Sequence, residues 1–134
     1  MKHALRLADY LQHMQQAASD AIGYVEHMDR AAFIQDRRTQ QAVVFNLVVL
    51  GEAAGNVLSD HAAFAAKHVE VPWRAMRTTR SRVAHGYFDI NVDVIWETVQ
   101  AALPQLLAVL PPVVEAAAQE VAQGKPLQGP TAAS

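Results

Sequence analysis

Arg80 and His85, with four residues between them, lie in the stretch RTTRSRVAHGYFDI, residues 77–90. An arginine stays charged at every physiological pH and offers a planar fork to phosphate oxygens. A histidine, with an ordinary pKa of about 6.5, can take or give a proton near neutrality. Those two types suit cleavage of an RNA phosphodiester without metal. There a base removes the 2′-hydroxyl proton, a cation stabilises the phosphoryl oxygens, and an acid protonates the leaving 5′-oxygen. Arg74, Arg77 and Arg82 enlarge the cluster, and no acid falls between Val71 and Phe88, although the chain carries a net charge of -2. The same residues equally suit a solvated helix face with a capping or core histidine, and RxxxxH spacing alone does not choose.

Helical geometry constrains the chemical reading. Positions five apart differ by about 140° around an ideal helix, so Arg80 and His85 do not share a face, whereas Arg77, Ser81 and His85 do. Arg80 can reach round with its long side chain, the helix can bend near Gly86, or the site can form between two subunits. One motif histidine per chain favours the last, because two chains then supply both base and acid across a two-fold cleft.

The elements that must hold these residues read as helices. Ala4, Leu11, Ala18 and Val25 repeat every seven residues, and Leu7, Met14, Ala21 and Met28 repeat beside them. This stripe predicts an amphipathic helix over residues 3–28 that needs a partner, slightly weakened at Gly23. Asp29 is placed to cap a short turn over 30–35, and Asp36 to cap a helix over 37–58. From Ala42 that helix is apolar nearly all round, which predicts the central position, with Gly51 and Gly55 permitting a close crossing. Glu52, inside it, reads as a buried carboxylate needing an arginine from the 74–82 region. Asn46 reads as satisfying nearby polar groups, and Trp73 and Trp96 as core.

Residues 59–72 read as a short helix and a loop. Pro72 suits the start of a helix over 73–86. Asn91 suits the cap of a last long helix, which Pro104 should kink and Pro111-Pro112 should stop or re-aim. The expected class is all-α, an antiparallel bundle of about five helices in one domain over 1–118. A Gly-, Pro- and Gln-rich tail over 119–134 is expected to be disordered.

Bulk properties narrow the function. The chain has 134 residues, 51% apolar, which fits one packed domain. It has no cysteine, which excludes disulfides and thiolate metal sites and makes a reducing cytoplasm the simplest home. The N-terminus lacks a secretory pattern, and the most apolar run, residues 42–58, contains Asn46, Glu52 and Asn56, so it reads as a core helix rather than a membrane span. Near-neutral charge argues against indiscriminate coating of nucleic acid but leaves a local anion site open. The six histidines form no HExxH and no tight cluster, so no metal is expected, and no Gly-rich phosphate loop or GxSxG elbow is present.

A longer set of landmarks carries more information than RxxxxH. TQQAV (residues 39–43), NLVVLGEAA (46–54), VPW (71–73), RSRVAHGYFDIN (80–91) and VIWETV (94–99) together resemble the HepT-like proteins of the HEPN superfamily, over roughly residues 5–110. Those are the toxin halves of HepT/MntA toxin-antitoxin systems. The resemblance implies a homodimeric helical bundle and a metal-independent endoribonuclease without cofactor. It implies Arg80 and His85 as the catalytic pair. The neighbouring Arg77 and Arg82 are expected on their own chemistry to hold substrate phosphate, with Ser81 and Glu52 in support. The resemblance also implies a cognate MNT-type nucleotidyltransferase antitoxin that transfers AMP from ATP onto the motif tyrosine, here Tyr87. Ser81 stands where Asn or Asp is more usual, and Arg77-Thr78-Thr79 replaces a more apolar stretch. A second reading makes the chain a non-catalytic helical partner that binds and regulates a nucleotidyltransferase.

Overall fold

The computed structural model describes residues 2–85 and 91–123, with side chains over 6–81 and 91–123. Five helices follow in order: α1 (Lys2–Tyr24), α2 (Arg30–Gln35), α3 (Arg37–Asp60), α4 (Ala62–Lys67) and α5 (Trp73–His85). A last rod of 31 residues runs from Val92 to Ala122. It joins α6 (Val92–Glu97), a π-helical turn (Thr98–Ala102) and α7 (Leu103–Ala122). No strand occurs among the described residues, so the expected all-α class holds.

The starts expected from capping residues are found. The Asp29 carboxylate accepts the Ala32 N–H at 2.8 Å, Asp36 accepts the Thr39 N–H at 3.0 Å and its hydroxyl at 2.8 Å, and the Asn91 amide oxygen accepts the Val94 N–H at 3.2 Å. Each satisfies a donor that the first helical turn leaves without a partner. The bond from the Thr39 N–H, and then that from its hydroxyl, holds the Asp36 carboxyl below its ordinary pKa.

α1 is shorter than its heptad pattern predicted. It ends at Tyr24, and Val25 and Glu26 donate to the carbonyls of Ile22 and Gly23 in a tightened turn. Gly23 explains the stop: it carries the entropic penalty of an unsubstituted residue, and it packs against nothing that would offset it. The stripe itself is buried as predicted, with Leu7, Leu11, Met14, Ala18, Ala21 and Val25 in the core.

α3 is the central element, packed along α1 on one side and α5 on the other, while α7 lies against α1. Val43, Leu47, Leu50, Ala54 and Val57 of α3 meet the α1 stripe and its neighbours in one continuous apolar cluster that includes both tryptophans. α3 and the last rod are each long and apolar enough to cross a bilayer. In α3 the apolar length is spent on its two neighbours.

The prolines of the last rod correct one expectation and refine another. Pro104 has no N–H for the Gln100 carbonyl, and its ring would crowd that carbonyl. The ladder responds one step earlier: the Leu103 N–H donates to the Thr98 carbonyl, five residues back. Pro111-Pro112, expected to stop or re-aim the helix, does not stop it: both prolines lie inside α7, which continues to Ala122. Both prolines are exposed, as is Ala108, while Leu106, Leu110, Val113 and Ala117 are buried. Each proline costs about 3 kcal/mol in a helix interior, and each large apolar side chain buried on the inner face offsets about 1.5–3 kcal/mol. The inner face therefore carries the helix through. Residues 119–122 of the expected tail form the last turn of α7, and the tail from Gly124 onward lies outside the described residues.

Candidate functional site

α5 carries the arginine cluster, and its N-terminus is fixed first. Pro72 precedes Trp73, which opens the helix, is 5% exposed and donates its indole N–H to the His68 carbonyl at 3.0 Å. Trp73, Met76 and Arg80 follow at helical spacing and form the stripe of α5 that faces α3. The third member is an arginine, where packing alone asks for an apolar residue.

Glycine on α3 makes room for it. A Cβ on Gly51 would lie 2.1 Å from the Arg80 Cβ and 2.7 Å from the Met76 carbonyl oxygen. One turn later, a Cβ on Gly55 would lie 3.2 and 3.3 Å from Cδ and Cγ of Arg77. The two glycines expected to permit a close crossing thus receive two arginine stems. That role was not readable from the α3 sequence, because it depends on which helix crosses there.

The Arg80 guanidinium emerges at the edge of this seam. Its Nε and Nη2 donate to Oε1 of Glu52 at 3.0 and 2.7 Å. The expected pairing of Glu52 with an arginine of this helix is found. The expected burial is not: 55% of the Glu52 side chain and 34% of the Arg80 side chain are exposed. Glu52 sits on the outer face of α3, in register with Phe45 and Val49, and not on the inner face with Leu47, Leu50 and Ala54. An ion pair this exposed contributes about 0–1 kcal/mol, so an anion of better geometry can displace the carboxylate.

Phe45 corrects a second expectation. α3 is not buried all round, because Phe45 is 67% exposed and Val48 and Val49 are half-buried beside it. Asn46 turns inward, 7% exposed, and donates to the Ala42 carbonyl at 2.9 Å.

The remaining sequence candidates distribute as follows. Arg77 is exposed and Ser81 half-buried, and helical register sets them along one face of α5 together with positions 74, 78 and 85. Arg80 lies to the α3 side of Ser81 and position 85, and Arg77, its stem against Gly55, lies between them. Neither Arg74 nor Arg77 forms an ion pair or side-chain hydrogen bond among the described residues. Arg82 and His85 belong to the last turns of α5, and their side chains lie outside what the structure describes. Tyr87 lies outside the described residues altogether.

Known proteins share this arrangement of sequence. Residues 14–113 match the model of the family described as Ribonuclease HepT-like. The chain is 36% identical over 102 residues to the Thermococcus cleftensis protein named Probable ribonuclease HepT, covering 73% of this chain and 86% of that protein. It is 37% identical over 98 residues to a Methanocaldococcus jannaschii protein named provisionally as an RNase, covering 73% and 75%. A Caldanaerobacter subterraneus subsp. tengcongensis protein, also named provisionally as an RNase, is 33% identical over 97 residues, covering 72% and 84%. No solved structure matches the chain. The matched span takes in the Gly51 and Gly55 crossing, the Arg80–Glu52 pair and the whole RSRVAHGYFDIN segment, and the chain belongs to the HepT-like ribonuclease family, a family of RNA-cleaving enzymes.

Proposed function

We propose that the chain is the toxin of a toxin-antitoxin pair, a metal-independent endoribonuclease of the cytoplasm that works as a homodimer. The observation that carries this reading is the split within α5. Arg80 is held at the α3 seam by Glu52, while Ser81 and position 85 lie on another face of the helix. One straight helix does not bring the Arg80 and His85 positions together on one side, and a cleft between two copies does. In that cleft one His85 removes the 2′-hydroxyl proton, the resulting alkoxide attacks phosphorus, and the partner copy's equivalent protonates the leaving 5′-oxygen. Arg80 leaves Glu52 and pairs with the phosphoryl oxygens as charge develops there. Arg77 and Arg82 hold neighbouring phosphates; Glu52 keeps Arg80 in place until RNA takes it over, and Ser81 supports the site from the same helix.

The exposed apolar strip of Phe45, Val48 and Val49 supports the dimer. It adjoins Glu52 and hence the Arg80 edge, and exposed apolar patches bordered by polar groups are a usual sign of an interaction surface. Replacing Phe45 with Glu places a charge at the centre of that strip. The variant is expected to elute as a monomer with unchanged helicity by light scattering and circular dichroism. A dimer as tight as the wild type would place the interface elsewhere.

Silencing follows from Tyr87. Its hydroxyl oxygen bonds to the α-phosphorus of ATP, the bond to the β-phosphate oxygen breaks, pyrophosphate leaves, and the phenolic proton goes to a base of the nucleotidyltransferase antitoxin. The added phosphodiester lies two residues from His85 and can pair with the nearby arginines in place of RNA. The deciding experiment expresses the chain alone and with an MNT-type nucleotidyltransferase gene adjacent to it, and measures growth and intact mass. Growth arrest alone, relieved together with a gain of one or more AMP units, is the expected result. Relief of arrest with an unchanged mass, or an AMP gain that persists in Tyr87→Phe, removes the modification from the account.

A further inference from the structure

A groove of about 540 Å³ opens at the other end of α5 from the catalytic positions, between α4, the 68–72 loop and the first turns of α5. Its floor is apolar, including Leu58, Ala66, Val71 and Pro72, and its rim carries Arg74 and Arg77. None of its lining residues is acidic, which argues against a cationic ligand. Both rim guanidiniums lack a carboxylate partner among the described residues. A volume in this range suits a small flat group, and the two arginines call for an anion attached to it.

We propose that this groove is a binding subsite for one nucleotide of single-stranded RNA, its base against the apolar floor and its phosphate on Arg74 and Arg77. The proposal rests on the ribonuclease reading for the choice of RNA over other amphipathic anions. Register supports that choice. Positions 74, 77, 81 and 85 lie along one face of α5, so a backbone held at the groove runs on toward the motif histidine's position. Eleven residues at about 1.5 Å each separate Arg74 from His85, about 16 Å. The groove therefore takes a nucleotide flanking the cleaved bond, not one of the two that the bond joins. Its walls offer few side-chain hydrogen-bonding groups, so it holds any base without reading its edge.

Two exposed residues outside the catalytic set test the groove: Arg74→Ala removes an anion contact, and Ala66→Trp fills the floor. Binding of a short fluorescein-labelled single-stranded RNA is measured by anisotropy in the His85→Ala background, where RNA survives. Each change is expected to weaken binding about tenfold, and Arg74→Ala to lower the slope of log K against log salt by about 0.7. In the active protein both changes should raise KM for that RNA with kcat retained, while turnover of a dinucleotide, too short to reach the groove, stays at the wild-type value. Wild-type RNA affinity in both variants overturns the subsite. So does a loss of nucleotidyltransferase capture with RNA binding intact, which would make the groove a protein-docking surface. A wild-type protein that binds RNA through the groove but cleaves none would refute the nuclease mechanism and leave the subsite standing.

Discussion

Replacing His85 with alanine is expected to lower RNA cleavage by about a hundred- to ten-thousandfold, the usual contribution of a positioned acid or base. The dimer reading places the effect at the upper end, because one substitution removes both the base and the acid of a two-chain cleft. Arg80→Ala is expected to match it, and Arg80→Lys to recover little, because an ammonium is a point charge and lacks the planar fork. The double variant should cost no more than either single one, since groups acting as a unit are not additive. Wild-type cleavage should persist in EDTA and leave a 2′,3′-cyclic phosphate or its hydrolysis product, and a DNA strand of the same sequence should resist, having no 2′-hydroxyl. Circular dichroism of His85→Ala should match the wild type, and full cleavage by that folded variant would exclude the mechanism. Arg80 has a second task in packing against Gly51, so its variant needs the melting temperature reported beside the rate.

Gly51→Ala is expected to be the most damaging glycine-to-alanine change among the described glycines. The added Cβ would sit 2.1 Å from the Arg80 Cβ and 2.7 Å from the Met76 carbonyl. Both are fixed atoms near the α5 backbone, so the seam itself must open. Overpacking of this kind costs about 1–3 kcal/mol, and the expected loss is near the top of that range. The two other glycines of these helices form a graded control. At Gly55 the nearest atoms are the flexible Cδ and Cγ of Arg77, at 3.2 and 3.3 Å, so a small loss is expected. At Gly23 a Cβ meets nothing within 4 Å, and Gly23→Ala should stabilise by about 0.5–1 kcal/mol through lower backbone entropy. Thermal melts should rank the variants Gly23→Ala, wild type, Gly55→Ala, Gly51→Ala from most to least stable. Cleavage by Gly51→Ala should fall further than its stability alone accounts for, because the displaced stem belongs to Arg80. A Gly51→Ala protein that melts and cleaves as the wild type does would show that the α3–α5 seam has room for a methyl group at Gly51.

The residues proposed for chemistry were legible in sequence as a cluster of types, Arg80 with His85 and a tyrosine two positions on, but the arrangement of that cluster was not. Register alone showed that Arg80 and His85 diverge on a straight helix. Only the packing of α5 on α3 shows where Arg80 goes, into the Gly51 notch and onto Glu52. The groove beside Arg74 and Arg77 left no signal in the sequence, because its floor joins α3, α4 and a loop through ordinary apolar residues.

What the sequence determined by itself is what acts over a few residues. Asp29, Asp36 and Asn91 cap helices at the expected positions, because a side chain bonding a backbone N–H three residues on needs no distant partner. The heptad spacing of α1 likewise sets its apolar residues on one face by helical geometry alone, and that face is the one found buried. Tertiary structure decided what depends on a neighbour brought from far along the chain. Pro111-Pro112 stays helical because Leu106, Leu110, Val113 and Ala117 are buried on the other side of the rod. Glu52 and Phe45, on a helix apolar enough to be buried all round, stay exposed because α1 and α5 cover only two of its sides. A local pattern states which residues want cover, and only the assembled bundle states which of them receive it.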